Sequence, residues 1–150
     1  VTPDTLYKSG KLLAAGADMN KIAYYMFSAQ SKERAKLFGL TMSAIRYFEE
    51  GKIAVASVRR DMLEKTGARA DETEGFIDFV MGVVGVEVGA CVMEIEKDKF
   101  KVSLRSKNAD VNAVAGVFGG GGHVLASGCQ IFGEYEEVID RLICAIKRFI

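Results

Sequence analysis

The sequence predicts an α/β fold, a small mixed β-sheet flanked by helices and preceded by a helical inter-domain segment. Three observations predict it. Residues 1–51 carry apolar side chains at helical spacing, short runs of β-formers begin after Lys52, and those runs alternate with segments that return to the 3.6-residue period. A chain of 150 residues can bury a proper core, and the change of character places one domain over 52–150 behind a helical linker region over 1–51.

The elements follow in order. Thr2 or Asp4 around Pro3 makes a helix start, Leu6, Leu12 and Leu13 supply its apolar side, and Gly16 stops it. Asp18 is placed to cap a second helix carrying Ile22, Tyr25 and Met26. After Ser31, the spacing of Leu37, Leu40, Thr41, Ala44, Ile45 and Phe48 predicts a third helix ending in a left-handed cap at Gly51. Ile53 to Val58 reads as a strand, and Arg59, Arg60 and Asp61 mark its end and the start of a helix. Residues 71–84 read as helix, with Phe76, Val80 and Val83 or Val84 on one side. Val86–Ile95 and Phe100–Arg105 flank polar Lys97, Asp98 and Lys99 and predict a hairpin. Val111, Val114, Ala115 and Phe118 fit a helix behind an Asp110 cap, and a strand is expected around Cys129 to Phe132. A final helix from Glu134 places Val138, Leu142, Ala145, Ile146 and Phe149 on one stripe, with acids in its first turn and Lys147 and Arg148 last.

Composition excludes several functions. With 20 basic and 20 acidic residues, the chain lacks the cationic excess by which a protein coats polyanions, so an anion site must be local. Cys91, Cys129 and Cys144 form no CxxC pair, and the single His123 joins them at no zinc spacing. Scattered thiols predict reduced, packed cysteines and a cytoplasmic protein. No apolar run is long enough to span a bilayer, so no membrane partner is expected. The start at Val1 is neither a signal peptide nor a methionine, which predicts a piece of something longer.

The residues that stand out chemically are Gly119, Gly120, Gly121, Gly122 and His123. A glycine run costs conformational entropy on folding, so it predicts unusual dihedrals or a very close approach of backbone to a ligand. Its N–H groups can form an anion-binding nest, and a flexible loop is the alternative. A Walker loop is excluded because Gly122 precedes His123 and Val124 rather than Lys and Ser or Thr. A dinucleotide fingerprint is excluded because its third small position falls on Val124 or Leu125 and a helix precedes the run. His123 has either a structural role or, beside the glycines, the role of donating to the same anion or stacking on a base.

A second constellation lies on the strand through Lys101, Ser103 and Arg105, which alternation places on the face opposite Phe100, Val102 and Leu104. From Lys97 to Lys107 five basic residues stand against Asp98 alone. Arg105 can grip a phosphate bidentately and Ser106 can add a hydroxyl donor; a solvated edge hairpin guarded by lysines is the plain alternative. Asp71, Glu72, Glu74 and Asp78 cluster near a helix start, where acids are favourable dipole partners, and no catalysis is assigned to them.

Taken together, Val102 to Lys107, Asp110-Val111-Asn112, Gly119 to His123 and Ala126-Ser127-Gly128 resemble the C-terminal DHH-associated domain of the DHH phosphoesterases. The likeness is greatest to the branch of bacterial nanoRNases and 3′-phosphoadenosine-5′-phosphate phosphatases. Gly16-Ala17-Asp18 and Glu74-Gly75 are similar to that branch's inter-domain region, and Val124-Leu125 depart from its usual polar residues. The resemblance implies a division of labour. An N-terminal domain, absent here with its Asp-His-His motif, would hold two manganese ions, so neither catalytic nor metal-binding residues are expected in this chain. Arg105 and Ser106 would contact substrate phosphate, and Gly119, Gly120, Gly121, Gly122 and His123 would cradle the terminal nucleotide of a short oligonucleotide or bisphosphonucleoside. The implied partners are that substrate and the chain's own N-terminal domain, with pairing into a homodimer left open. A non-catalytic nucleotide or nucleic-acid binding module, of the kind appended to synthetases or cyclic di-adenylate phosphodiesterases, is the alternative.

Overall fold

The computed structural model describes residues 1–150, which separate into two compact units, Val1–Ser31 and Lys32–Ile150. In the first unit α1 (Pro3–Ala14) is capped by Thr2, whose hydroxyl accepts from the Thr5 amide, with Pro3 in the first turn. Asp18 caps α2 (Met19–Ala23), accepting from the Lys21 amide at 3.0 Å, and the chain continues into one π-helical turn over Tyr24–Ser28. Both caps stand where the sequence predicts them. None of these residues is buried.

The second unit is built on a six-stranded sheet. After α3 (Lys32–Ser43) come β1 (Arg46–Phe48), β2 (Ile53–Val58), α4 (Arg60–Thr66), α5 (Phe76–Met81), β3 (Val88–Glu96) and β4 (Lys99–Ser106). They are followed by α6 (Val111–Gly116), β5 (Gly121–His123), β6 (Ala126–Phe132) and α7 (Tyr135–Ile146). The strand order is β1-β2-β3-β4-β6-β5, with β2 and β3 parallel and every other pair antiparallel. The predicted α/β class with a mixed sheet is the fold observed.

Burial along each strand tells where the sheet is covered. β2 and the first half of β3 are buried at nearly every position, so both of their faces are packed. β4 instead alternates, with Phe100, Val102, Leu104 and Ser106 buried and Lys99, Lys101, Ser103 and Arg105 not. One face of the whole sheet is closed by α6 and α7, through Val111, Val114, Val138, Leu142 and Ile146. The other face is covered over β2 and β3 by α3, α4 and α5, through Leu37, Phe76, Ile77 and Val80. On that face β6 and β5 remain bare, and β4 is only partly covered, by α5.

Several local expectations change. The helix predicted to run to Gly51 ends at Ser43, and Arg46–Phe48 forms an edge strand on β2. Ile45 and Phe48 match a helical period, yet Ile45 packs on the α5 side of the sheet and Phe48 on the α7 side. A tight turn with positive φ at Glu49, Glu50 and Gly51 makes that hairpin, so Gly51 is left-handed for a different reason than a helix cap. Residues 71–84 are not one helix, because Gly75 at φ 82° separates a 3₁₀ turn from α5. Val83 packs against the core and Val84 is exposed. Gly121–His123 is a strand rather than a loop, and the next strand begins at Ala126, before Cys129.

Candidate functional site

The bare face is organised by strand register. Gly89 of β3, Arg105 of β4, Ala126 of β6 and His123 of β5 are lateral neighbours and share one row. The next row on the same face is Cys91, Ser103, Gly128 and Gly121, and the third is Met93, Lys101 and Gln130. Adjacent strands lie about 4.8 Å apart, so the Arg105 and His123 backbones, two strands apart, are separated by about 10 Å. Between their side chains lie Ala126, Gly128 and Gly121, a floor almost free of side chains.

Two clefts open on this face, both lined by Lys101 and Ser103. One, of about 430 Å³, also takes in Arg105, Cys91, Met93 and the segment from Ala70 to Asp78. The other, of about 510 Å³, takes in Gly119, Gly120, Gly128, Gln130 and Phe132. Neither Lys101 nor Arg105 belongs to an ion pair, and the Arg105 Nη1 donates to the Leu104 carbonyl at 3.0 Å. A guanidinium has five N–H donors, so most of Arg105 remains free for an anion. His123 is exposed at the outer end of the row. Lys99 is tied to Glu96 at 2.8 Å, which takes one of the five basic residues between Lys97 and Lys107 into an ion pair.

The glycine run is shaped by packing. Gly119 adopts φ +72°, and a Cβ on Gly120 would lie 2.3 Å from the Gly128 carbonyl oxygen and 2.5 Å from Cys129 Cβ. The run is therefore pressed onto β6. Its amides are largely engaged inside the protein, with Gly119 N donating to Gly116 O at 3.1 Å, Gly120 N to Ala115 O at 2.9 Å and Gly122 N to Asn112 Oδ1 at 2.8 Å. The nest expected of the run is not formed by these three amides. What the glycines supply is a low wall against which a flat ligand can lie.

Ser106 sits apart from Arg105. It is buried on the opposite face, and its hydroxyl donates to the Ala109 carbonyl. It holds the turn after β4, as Asp110 caps α6 by accepting from Ala113 N at 3.0 Å and Ser127 donates to the Val111 carbonyl. Asn112, which anchors Gly122, escaped the sequence reading as a site residue because its partner is ten positions away. The wall from Ala70 to Asp78 escaped it for a similar reason, since only tertiary packing brings those residues opposite Lys101 and Arg105.

The cysteines divide. Burial pushes the Cys91 and Cys129 thiols up to about 11, whereas Cys144 is exposed, contrary to the expectation that all three are packed. All three are free. No group of three or more His, Cys, Asp or Glu side chains is arranged to hold a metal ion. The residues present do not fit a two-manganese centre. No helix is long and apolar enough to cross a membrane.

The chain is thus an α/β domain with a sheet face that is basic along β4 and bare over β6 and the short, glycine-rich β5. Residues 50–150 match the model of the DHHA1 domain, and the chain belongs to that family. Within it, the homology is to the NrnA-like phosphoesterases. The chain is 27% identical over 146 residues to the bifunctional oligoribonuclease and PAP phosphatase NrnA of Bacillus subtilis, covering 97% of this chain and 45% of that protein. It is 25% identical over 148 residues to the NrnA of Thermus thermophilus, covering 97% of this chain and 44% of that one. The crystal structure of an exopolyphosphatase-related protein from Bacteroides fragilis superposes with a TM-score of 0.87 at 25% identity, over 98% of this chain and 44% of the other. The chain thus spans less than half the length of each of these three relatives.

Proposed function

We propose that this chain is the substrate-binding part of a phosphoesterase that hydrolyses short oligoribonucleotides or 3′,5′-bisphosphonucleosides, with the binding face on the unit Lys32–Ile150. The observation that carries the reading is the row that aligns Arg105 with His123 across Ala126, beside the side-chain-free pair Gly121 and Gly128. In this reading the Arg105 guanidinium donates to phosphate oxygens, with Lys101 adding charge from two residues along the same strand. His123 donates to the phosphate or stacks on the terminal base, and Gly119 to Gly122 let that base approach the backbone. Ser106 acts through the turn it holds. The relatives' printed activities support the substrate class. Hydrolysis is assigned to metal ligands outside this chain, so the chain binds substrate without cleaving it.

The test is calorimetric titration with a 5′-phosphorylated dinucleotide. Hydrogen bonds to charged groups contribute about 1.5–3 kcal/mol, so Arg105→Ala should weaken binding by about tenfold or more. His123→Ala should weaken it as well. Equal binding by the wild-type chain and both variants would overturn the reading.

A further inference from the structure

β5 is an edge strand of three residues, all exposed and two of them glycine, with β6 on one side only. A strand this short has little grip of its own, because residues in an antiparallel pair exchange hydrogen bonds only at alternate positions. Its middle residue, Gly122, donates its amide out of the ladder, to Asn112 Oδ1 at 2.8 Å. Just past His123, the Val124 carbonyl accepts from Val111 N at 2.8 Å, and the Leu125 carbonyl accepts from Ser106 N at 3.1 Å. Two consecutive residues of α6 therefore bracket His123, one holding the residue before it and the other the residue after it. Of these bonds only that of Asn112 is made by a side chain. Asn112 lines neither cleft, so it acts on a ligand there only through β5.

We infer that Asn112 is a positioning residue, whose side-chain carbonyl latches β5 at Gly122 and so fixes His123 in the row with Arg105. This rests on the reading under Proposed function and adds the residue that sets one of its two contacts. Position 122 must be glycine, because a Cβ there would lie 2.6 Å from Ala126 O and 2.7 Å from Ser127 Cα. The backbone freedom that glycine brings would leave the imidazole without a fixed direction, and the bond to Asn112 takes that freedom away. Ordering His123 before the ligand arrives means that binding does not have to supply it.

The experiment measures, by calorimetric titration with a 5′-phosphorylated dinucleotide, the factor by which His123→Ala weakens binding in the wild-type, Asn112→Ala and Asn112→Asp chains. In the wild-type chain that factor is about fivefold or more, the range of one hydrogen bond or one stacked base. In Asn112→Ala it falls to about twofold or less, because an unlatched His123 has little left to lose. Asn112→Asp keeps an acceptor for Gly122 N and restores it. The factor for Arg105→Ala stays the same in all three chains, which separates loss of the latch from a general loss of structure. His123 is the only histidine, so its imidazole NMR signals give a second readout: the dinucleotide shifts them in the wild-type and Asn112→Asp chains and far less in Asn112→Ala. An unchanged His123→Ala factor or imidazole shift in Asn112→Ala, no recovery in Asn112→Asp, or an Arg105→Ala factor that collapses as well overturns the inference. If Arg105→Ala and His123→Ala both weaken the wild-type chain but position 112 has no bearing on His123, the function stands and this inference fails. If neither weakens it, both fail together.

Discussion

Gly120 is the position where packing demands glycine most sharply, and Gly120→Ala isolates that demand. Its φ is not positive, so the substitution carries no left-handed penalty. The cost is steric: the new methyl would lie 2.3 Å from Gly128 O, 2.5 Å from Cys129 Cβ and 2.7 Å from Cys129 Cα. Two of those three atoms are backbone of β6, a strand held in the sheet from Lys99 to Arg105 of β4, so they cannot swing aside. Overpacking of this kind costs about 1–3 kcal/mol. With a urea dependence of about 2 kcal/mol per molar for a chain of this size, the unfolding midpoint should fall by about 1 M. Gly121→Ala is the control. Its nearest atom is Asn112 Oδ1 at 3.7 Å and its φ is ordinary, so it should leave the midpoint unchanged or raised slightly. Urea denaturation followed by circular dichroism distinguishes them. Gly120→Ala as stable as the wild-type chain, or the two variants shifted alike, would refute the claim that the run is pressed onto β6.

Two further outcomes follow from buried groups. Thr41 is fully buried on α3 and its hydroxyl has no partner, so Thr41→Val, which keeps the shape, should stabilise by about 1 kcal/mol and raise the melting temperature by about 2–4 °C; a lowered melting temperature would show that the hydroxyl is satisfied. Burial raises the Cys91 thiol from 9.0 to about 11, so the folded chain keeps a proton that the unfolded chain releases. That contribution is complete below about pH 9 and is lost as pH rises toward about 11, at about 1.4 kcal/mol per pH unit. Denaturation at stepped pH should show this decline in the wild-type chain and a shallower one in Cys91→Ala; identical slopes would contradict it.

Much of the local structure was legible from residue order. Caps at Thr2, Asp18 and Asp110, the β3–β4 hairpin around Asp98 and the buried stripe of α7 all depend on neighbours within a few positions, where spacing and side-chain chemistry suffice. The alternation of Lys101, Ser103 and Arg105 against Val102 and Leu104 was legible for the same reason. Residues 44–51 were misread because Ile45 and Phe48 satisfy a helical period while packing on different clusters, and 71–84 because Gly75 takes a positive φ between two short helical pieces; a period reveals neither.

Residue order alone carries the α/β class, the basic row on β4 and the glycine-histidine segment. How they meet is set by packing between distant segments. Strand order put β5 beside β6 and so brought His123 into line with Arg105, eighteen positions away in the chain. The helices α3, α4 and α5 cover β2 and β3, and of these α5 also reaches β4, which brings the segment from Ala70 to Asp78 into one cleft with Lys101 and Arg105. Register and layer packing arise from contacts between distant segments, and residue order records such contacts only once the chain has folded.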